Sequence, residues 1–250
     1  MGQYWVPVVE IEQDKKYYTL NPHQFDNGYK FMEHSYIGNE VPSVIMNLIY
    51  NNPYKVSWVG DYCEDLHIGK SDNSPIGSKF WDSEQMDKHS LIELACKKAK
   101  PKYMEFPNSK YEVISDEEFD EIMEKFSPTK IKNYILVNHD QKIYLSFEEY
   151  VKYPKHQYSY YNNPVWENNT FIHPLCVLTA APSMDFGGGD YHERNATNWD
   201  KVGTWSWDTI SVEDKDNVPD GFEKVAIDKY YFDEIDVNKM EEEQKNASKK

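Results

Sequence analysis

Two stretches of this chain run through the same short arrangement of strand-forming residues, polar turn and strand-forming residues, and that recurrence limits the fold more than any single motif. Trp5-Val6-Pro7-Val8-Val9-Glu10-Ile11 passes through a polar turn at Glu12 to Lys15 into Lys16-Tyr17-Tyr18-Thr19-Leu20. Tyr134-Ile135-Leu136-Val137 passes through Asn138-His139-Asp140-Gln141 into Lys142-Ile143-Tyr144-Leu145. Each reads as two strands and a tight turn, rich in β-branched and aromatic residues. At a spacing of 126 residues, Asp14, Lys16 and Tyr18 fall on Asp140, Lys142 and Tyr144. An isolated histidine follows each pair (His34, then His173), and farther on a Trp-x-x-Asp: Trp58 to Asp61, then Trp205 to Asp208. Landmarks in the same order imply an internal duplication.

Between the halves the periodicity changes. Met86, Leu91, Leu94 and Ala95 have near-helical spacing over 82–98, and Pro101 stops the run. Ser115-Asp116-Glu117-Glu118 opens a second helix through Phe126, with Phe119, Ile122, Met123 and Phe126 on one face. Shorter helices are expected over 42–49 and 147–152, and a strand over 222–227. The expected class is therefore α+β, with two related β-rich halves and a helical insertion. The first half covers 1–81, the insertion 82–130, and the second half 131–236. The charged tail, 237–250, is a solvated helix end or disordered.

Composition narrows the partners. With 43 acidic and 27 basic residues the chain carries a net charge of −16. That repels nucleic-acid phosphates and anionic membranes and favours a basic protein or a cation. Solubility alone also accounts for it. Cys63, Cys96 and Cys176 are odd in number and far apart, so neither a disulfide framework nor a zinc site is indicated. With no signal-like start and no long apolar run, the expected home is a reducing cytoplasm.

Only one of the 27 basic residues is arginine, and it stands in the one glycine cluster: Gly187-Gly188-Gly189-Asp190-Tyr191-His192-Glu193-Arg194. Consecutive glycine N–H groups can form an anion-binding nest, and a guanidinium forks onto carboxylate or phosphate as lysine cannot. Tyr191 and Trp199 offer stacking surface, and His173 is a further ligand-binding candidate. Asp190, His192 and Glu193 are the candidate catalytic groups of an alternative, a hydrolase acting on a phosphate or glycosidic bond with Arg194. The opposite reading is a connecting loop whose arginine pairs with a nearby acid, in a chain whose lysine excess reflects coding bias. No Walker loop or GxGxxG names a cofactor, and no ligand spacing names a metal.

His34 with Asp61 and His173 with Asp208 could each orient a general base, although a histidine on an apolar segment more often completes a core. Trp58, Trp205 and Trp207 are read as core anchors, and Cys176 as a small core residue. Gly2-Gln3-Tyr4, Asn21-Pro22-His23-Gln24-Phe25, Gly28-x-Lys30, His173-Pro174-Leu175 and Gly187-Gly188-Gly189-Asp190-Tyr191 resemble a family of microbial and phage proteins with no assigned activity. The resemblance spans most of the chain outside the insertion and implies one duplicated unit. The function expected is recognition without turnover. Either the 187–194 loop takes a small anionic or hydroxylated ligand, or an acidic surface takes a basic protein, as an inhibitor or immunity protein does.

Overall fold

The computed structural model describes residues 4–11, 16–25, 27–61, 88–90, 102–106, 109–113, 116–152, 172–181 and 201–226. At 11, 16, 88–90, 102–106, 109–113 and 116 it describes the backbone alone. Strands β1 (Trp5–Ile11) and β2 (Lys16–Thr19) form the first expected hairpin, and β7 (Tyr134–Asn138) and β8 (Ile143–Ser146) form the second. β3 (Tyr54–Gly60) lies against β1, and β10 (Thr209–Asp214) lies against β7. β3 and β10 then pair antiparallel at the centre. With β4 (Lys88–Ser90), β9 (Ala180–Ala181) and β11 (Glu223–Lys224) they make a nine-stranded mixed sheet, in the order β11-β8-β7-β10-β3-β1-β2-β4. β9 shares an edge of β3 with β10. A separate hairpin joins β5 (Lys102–Phe106) to β6 (Ser109–Val113).

Pairing fixes which side chains face the core, because a one-residue slip moves every side chain to the other face. Val9 pairs with Tyr18 and with Val56; Leu136 pairs with Leu145 and with Val212, and all six residues enter the same core. The two three-stranded units thus share one register, but at a spacing one residue beyond 126. The 126-residue spacing would set core-facing Tyr18 on Tyr144, which pairs with Val137 and sits one place off the Leu136–Leu145 pair. Pro7 is tolerated in the middle of the sheet because β2 ends at the Val8–Thr19 pair, and Thr19 Oγ1 donates to the Pro7 carbonyl at 3.1 Å.

Helices cover one face of the sheet. α1 (Phe31–His34) leads to α2 (Glu40–Leu48), whose N-cap Asn39 accepts from the Val41 N–H at 2.9 Å. Val41, Val44, Ile45 and Leu48 repeat at helical spacing and are buried with Met46. α3 (Asp116–Lys125) turns Ile122 and Phe126 inward, and Phe119 stacks on Phe25 at 5.6 Å. α4 (Phe147–Tyr150) is capped by Ser146, and α5 (Pro174–Thr179) by the His173 ring. Trp5, Trp58 and Trp205 have no exposed surface at the centre of this layer.

Three expectations change. The helix expected over 82–98 is interrupted, since Lys88–Ser90 is a strand running parallel to β2; its flanks lie outside the described residues. Together with the β5–β6 hairpin, this makes 82–130 a mixed stretch in which α3 is the described helix. Of the strand expected over 222–227, the described residues, 222–226, form strand at Glu223–Lys224 alone. The Trp-x-x-Asp landmarks are not equivalent either: Trp58 lies within β3, whereas Trp205 lies in turns preceding β10. The tail at 237–250 lies outside the described residues.

Candidate functional site

The histidine–aspartate pairs do not form. His34 Nδ1 lies 3.1 Å from the Gly28 carbonyl, and its Nε2 accepts from the Trp58 indole N–H at 3.3 Å. His173 Nδ1 accepts from the Leu175 N–H at 3.2 Å, and its Nε2 lies 3.2 Å from Met46 Sδ. Burial lowers His34 to about 4 and His173 to about 3, so both are neutral at physiological pH. Both rings are core fittings, on the two segments joined by the antiparallel bridge between Tyr36 and Ile172. Asp61 accepts from the Tyr4 N–H, and buried Asp208 accepts from Asn138 Nδ2 at 2.8 Å and Gln141 Nε2 at 2.6 Å. These bonds fasten the β7–β8 turn to the segment before β10. Burial holds the Cys176 thiol well above its ordinary pKa, which leaves it protonated and inert.

The other face of the sheet carries a different arrangement. Tyr17 pairs with Glu10, Glu10 with Lys55, and Lys55 with Thr209, whose carbonyl accepts from the His139 N–H at 2.9 Å. Directly opposed residues share a face, so Tyr17, Glu10, Lys55, Thr209 and His139 form one polar row across β2, β1, β3, β10 and the end of β7. All five are partly exposed. The row runs between buried flanks: Val6, Val8 and Val59 on one side, Ile135, Val137 and Ser211 on the other. Lys55 Nζ is 3.6 Å from Glu10 Oε2, with the two side chains 33% and 22% exposed. Such a screened pair contributes no more than about 1 kcal/mol. The hydroxyl of Tyr17 is raised in pKa, by burial and then by Glu10, with Lys55 opposing.

At one end of the row stands Trp207, edge-on to Tyr17 at 6.5 Å between centroids. Its φ of 62° is an outlier for a bulky residue, held by its N–H donating to the Val56 carbonyl at 3.0 Å. Its buried indole N–H has no hydrogen-bond partner among the described residues. Of the three tryptophans read as anchors, Trp58 and Trp205 are fully buried, while Trp207 is half-buried at the row. At the opposite end His139 packs its ring on Phe222 at 5.6 Å, and its Nε2 lies 2.8 Å from Ser211 Oγ. Burial lowers the His139 pKa, with Glu213 and Asp140 pulling the other way.

Gly187 to Arg194 and Trp199 lie outside the described residues, and His173, the remaining ligand-binding candidate, is fixed in the core. The loop's anchors are described. Ala181 pairs with Val59 and belongs to the small apolar cluster that Trp207 packs against. On the return side, the Gly203 N–H donates to the Val177 carbonyl and the Trp205 N–H to that of Leu178. The row itself escaped sequence reasoning, because its members come from five strands whose adjacency is not written in sequence order. The one usable signal was a charged residue at an interior strand position, as at Glu10. Among the described residues no group of three or more His, Cys, Asp or Glu is placed to hold a metal ion, and no helix is long and apolar enough to cross a membrane. No family model, no curated protein and no solved structure matches the chain.

Proposed function

We propose that this is a binding protein whose site is the polar row, completed by the 187–194 loop, and that it takes a small anionic or hydroxylated ligand in a cytoplasmic setting. The observation that carries the proposal is Trp207. A positive φ on a bulky residue and an unpaired buried donor each cost about 1–3 kcal/mol, and such costs concentrate at binding sites. Both fall on one residue beside the half-exposed Lys55, Glu10 and Tyr17, next to the strand from which the loop departs. In this proposal Gly187, Gly188 and Gly189 offer backbone donors, Arg194 and Lys55 supply positive charge, and Tyr191 and Trp199 supply rings. The shared register of the two three-stranded units supports their origin as copies of one unit. The loop then belongs to what the second copy adds.

The test separates binding from stability. Arg194→Lys and Lys55→Met are each expected to weaken ligand affinity at least tenfold, read by calorimetric titration with inorganic phosphate and with neutral oligosaccharides. Each should lower the melting temperature by no more than about 3 °C, since Lys55→Met gives up only the screened pair with Glu10 and Arg194→Lys keeps the charge. A large fall in melting temperature with unchanged affinity would make both residues structural.

A second reading has one observation in its favour. Glu117, Asp120, Glu121 and Glu124 are exposed on α3, and such a face suits a basic protein. That association would weaken steeply with salt and survive Arg194→Lys. The hydrolase alternative rests on Asp190, His192, Glu193 and Arg194 alone, and no described residue adds to it.

A further inference from the structure

Proton bookkeeping at one end of the row fixes what His139 can offer. Ser211 Oγ donates to Glu213 Oε1 at 2.8 Å, and a serine hydroxyl has a single proton to give. Its contact with His139 Nε2, also 2.8 Å, therefore requires the imidazole to be the donor. Nε2 then carries the proton and Nδ1 presents a lone pair, with no partner for Nδ1 among the described residues. Ser211 is fully buried, so water does not compete for the relay. The backbone bond to Thr209 and the Phe222 ring hold the imidazole in place.

We propose that His139 is a specificity-determining contact of the row, presented as a hydrogen-bond acceptor by the Ser211–Glu213 relay, and that the ligand it selects is a neutral, hydroxyl-rich one of the oligosaccharide class. This rests on the reading of the row as the ligand site. The chemistry of the five residues decides the class. Lys55 only donates, Glu10 and His139 Nδ1 only accept, and Tyr17 and Thr209 do both. A carboxylate brings acceptors alone, and a phosphate brings a surplus of them with negative charge, so either would satisfy Lys55 but be repelled by Glu10 and leave His139 Nδ1 poorly matched. A hydroxyl both gives and takes, and can meet all five. Tyr17 and Trp207, with ring planes at 83°, add a two-sided aromatic corner against which a sugar's apolar face can lie. Five strands at a spacing of about 4.8 Å make the row roughly 19 Å long, room for several linked rings.

The experiment has two arms. Nitrogen-15 NMR of the imidazoles should find His139 as the Nε2–H tautomer in the native protein and a mixture of tautomers in Ser211→Ala; an Nδ1–H tautomer in the native protein overturns the proposal. Calorimetry with hexasaccharides of glucose, galactose and N-acetylglucosamine should find one that binds, with affinity falling at least tenfold in Ser211→Ala and in His139→Phe. The half-exposed His139 position keeps the test open should the buried Ser211 variant misfold. Unchanged affinity in both variants overturns the proposal. Binding of inorganic phosphate but of no hexasaccharide overturns it while leaving the row as a site; binding of neither removes both.

Discussion

Lowering the pH from 8 to 5 is expected to destabilise the protein by about 4 kcal/mol through His34 and His173 alone. Both fold in the neutral form, at about 4 and about 3, against 6.5 for an unperturbed histidine. Below 6.5 the unfolded chain binds a proton at each position and the native state does not. Their full contribution is therefore present above 6.5 and is lost progressively as pH falls toward the folded values. By pH 5 each histidine has cost roughly 2 kcal/mol. His173→Asn isolates half of the effect, because asparagine can still accept from the Leu175 N–H as an N-cap but does not titrate. Urea unfolding at the two pH values should show the pH-dependent loss smaller by about 2 kcal/mol in that variant. An undiminished loss would mean that His173 takes up its proton in the native protein over the same pH range as in the unfolded chain.

Replacing Trp58 should produce a loss among the largest from any single side chain. It has no exposed surface, pairs with Pro7 on one side and Ala180 on the other, and donates its indole N–H to His34. Trp58→Ala is expected to cost about 3–5 kcal/mol, the range for a large aromatic removed from a core. Trp58→Phe restores most of the volume but leaves His34 Nε2 buried without its donor, a loss of about 1–3 kcal/mol. Urea midpoints at pH 8 measure both. A loss below about 1 kcal/mol for the alanine variant would contradict the role of Trp58 as a central anchor.

How much of this was legible beforehand follows from which interactions are local. Both hairpins, α2, α3 and α4 were readable, because strand-forming runs broken by polar turns and the apolar spacing from Phe119 to Phe126 act within a few residues. The 126-residue spacing matches Tyr18 with Tyr144 by identity, whereas the strand pairings correspond at 127, because identity ignores which face each residue occupies. The helix expected over 82–98 gave way at Lys88–Ser90, where a parallel partner in β2 outweighs local periodicity. His34 and His173 were noticed for their isolation, yet Gly28, Trp58, Leu175 and Met46, which complete them, come from other segments. Tyr17, Glu10, Lys55, Thr209 and His139 became a row only once five strands were set side by side.

The most direct test of the row as the functional surface is amide chemical-shift mapping during titration with the hexasaccharides and with inorganic phosphate. The largest shifts are predicted at Tyr17, Lys55, Trp207, Thr209 and His139 and in the 187–194 loop, with the signals of α2 and α5 unmoved. Shifts concentrated on α3, or the absence of any shift along the row at saturating ligand, would contradict it.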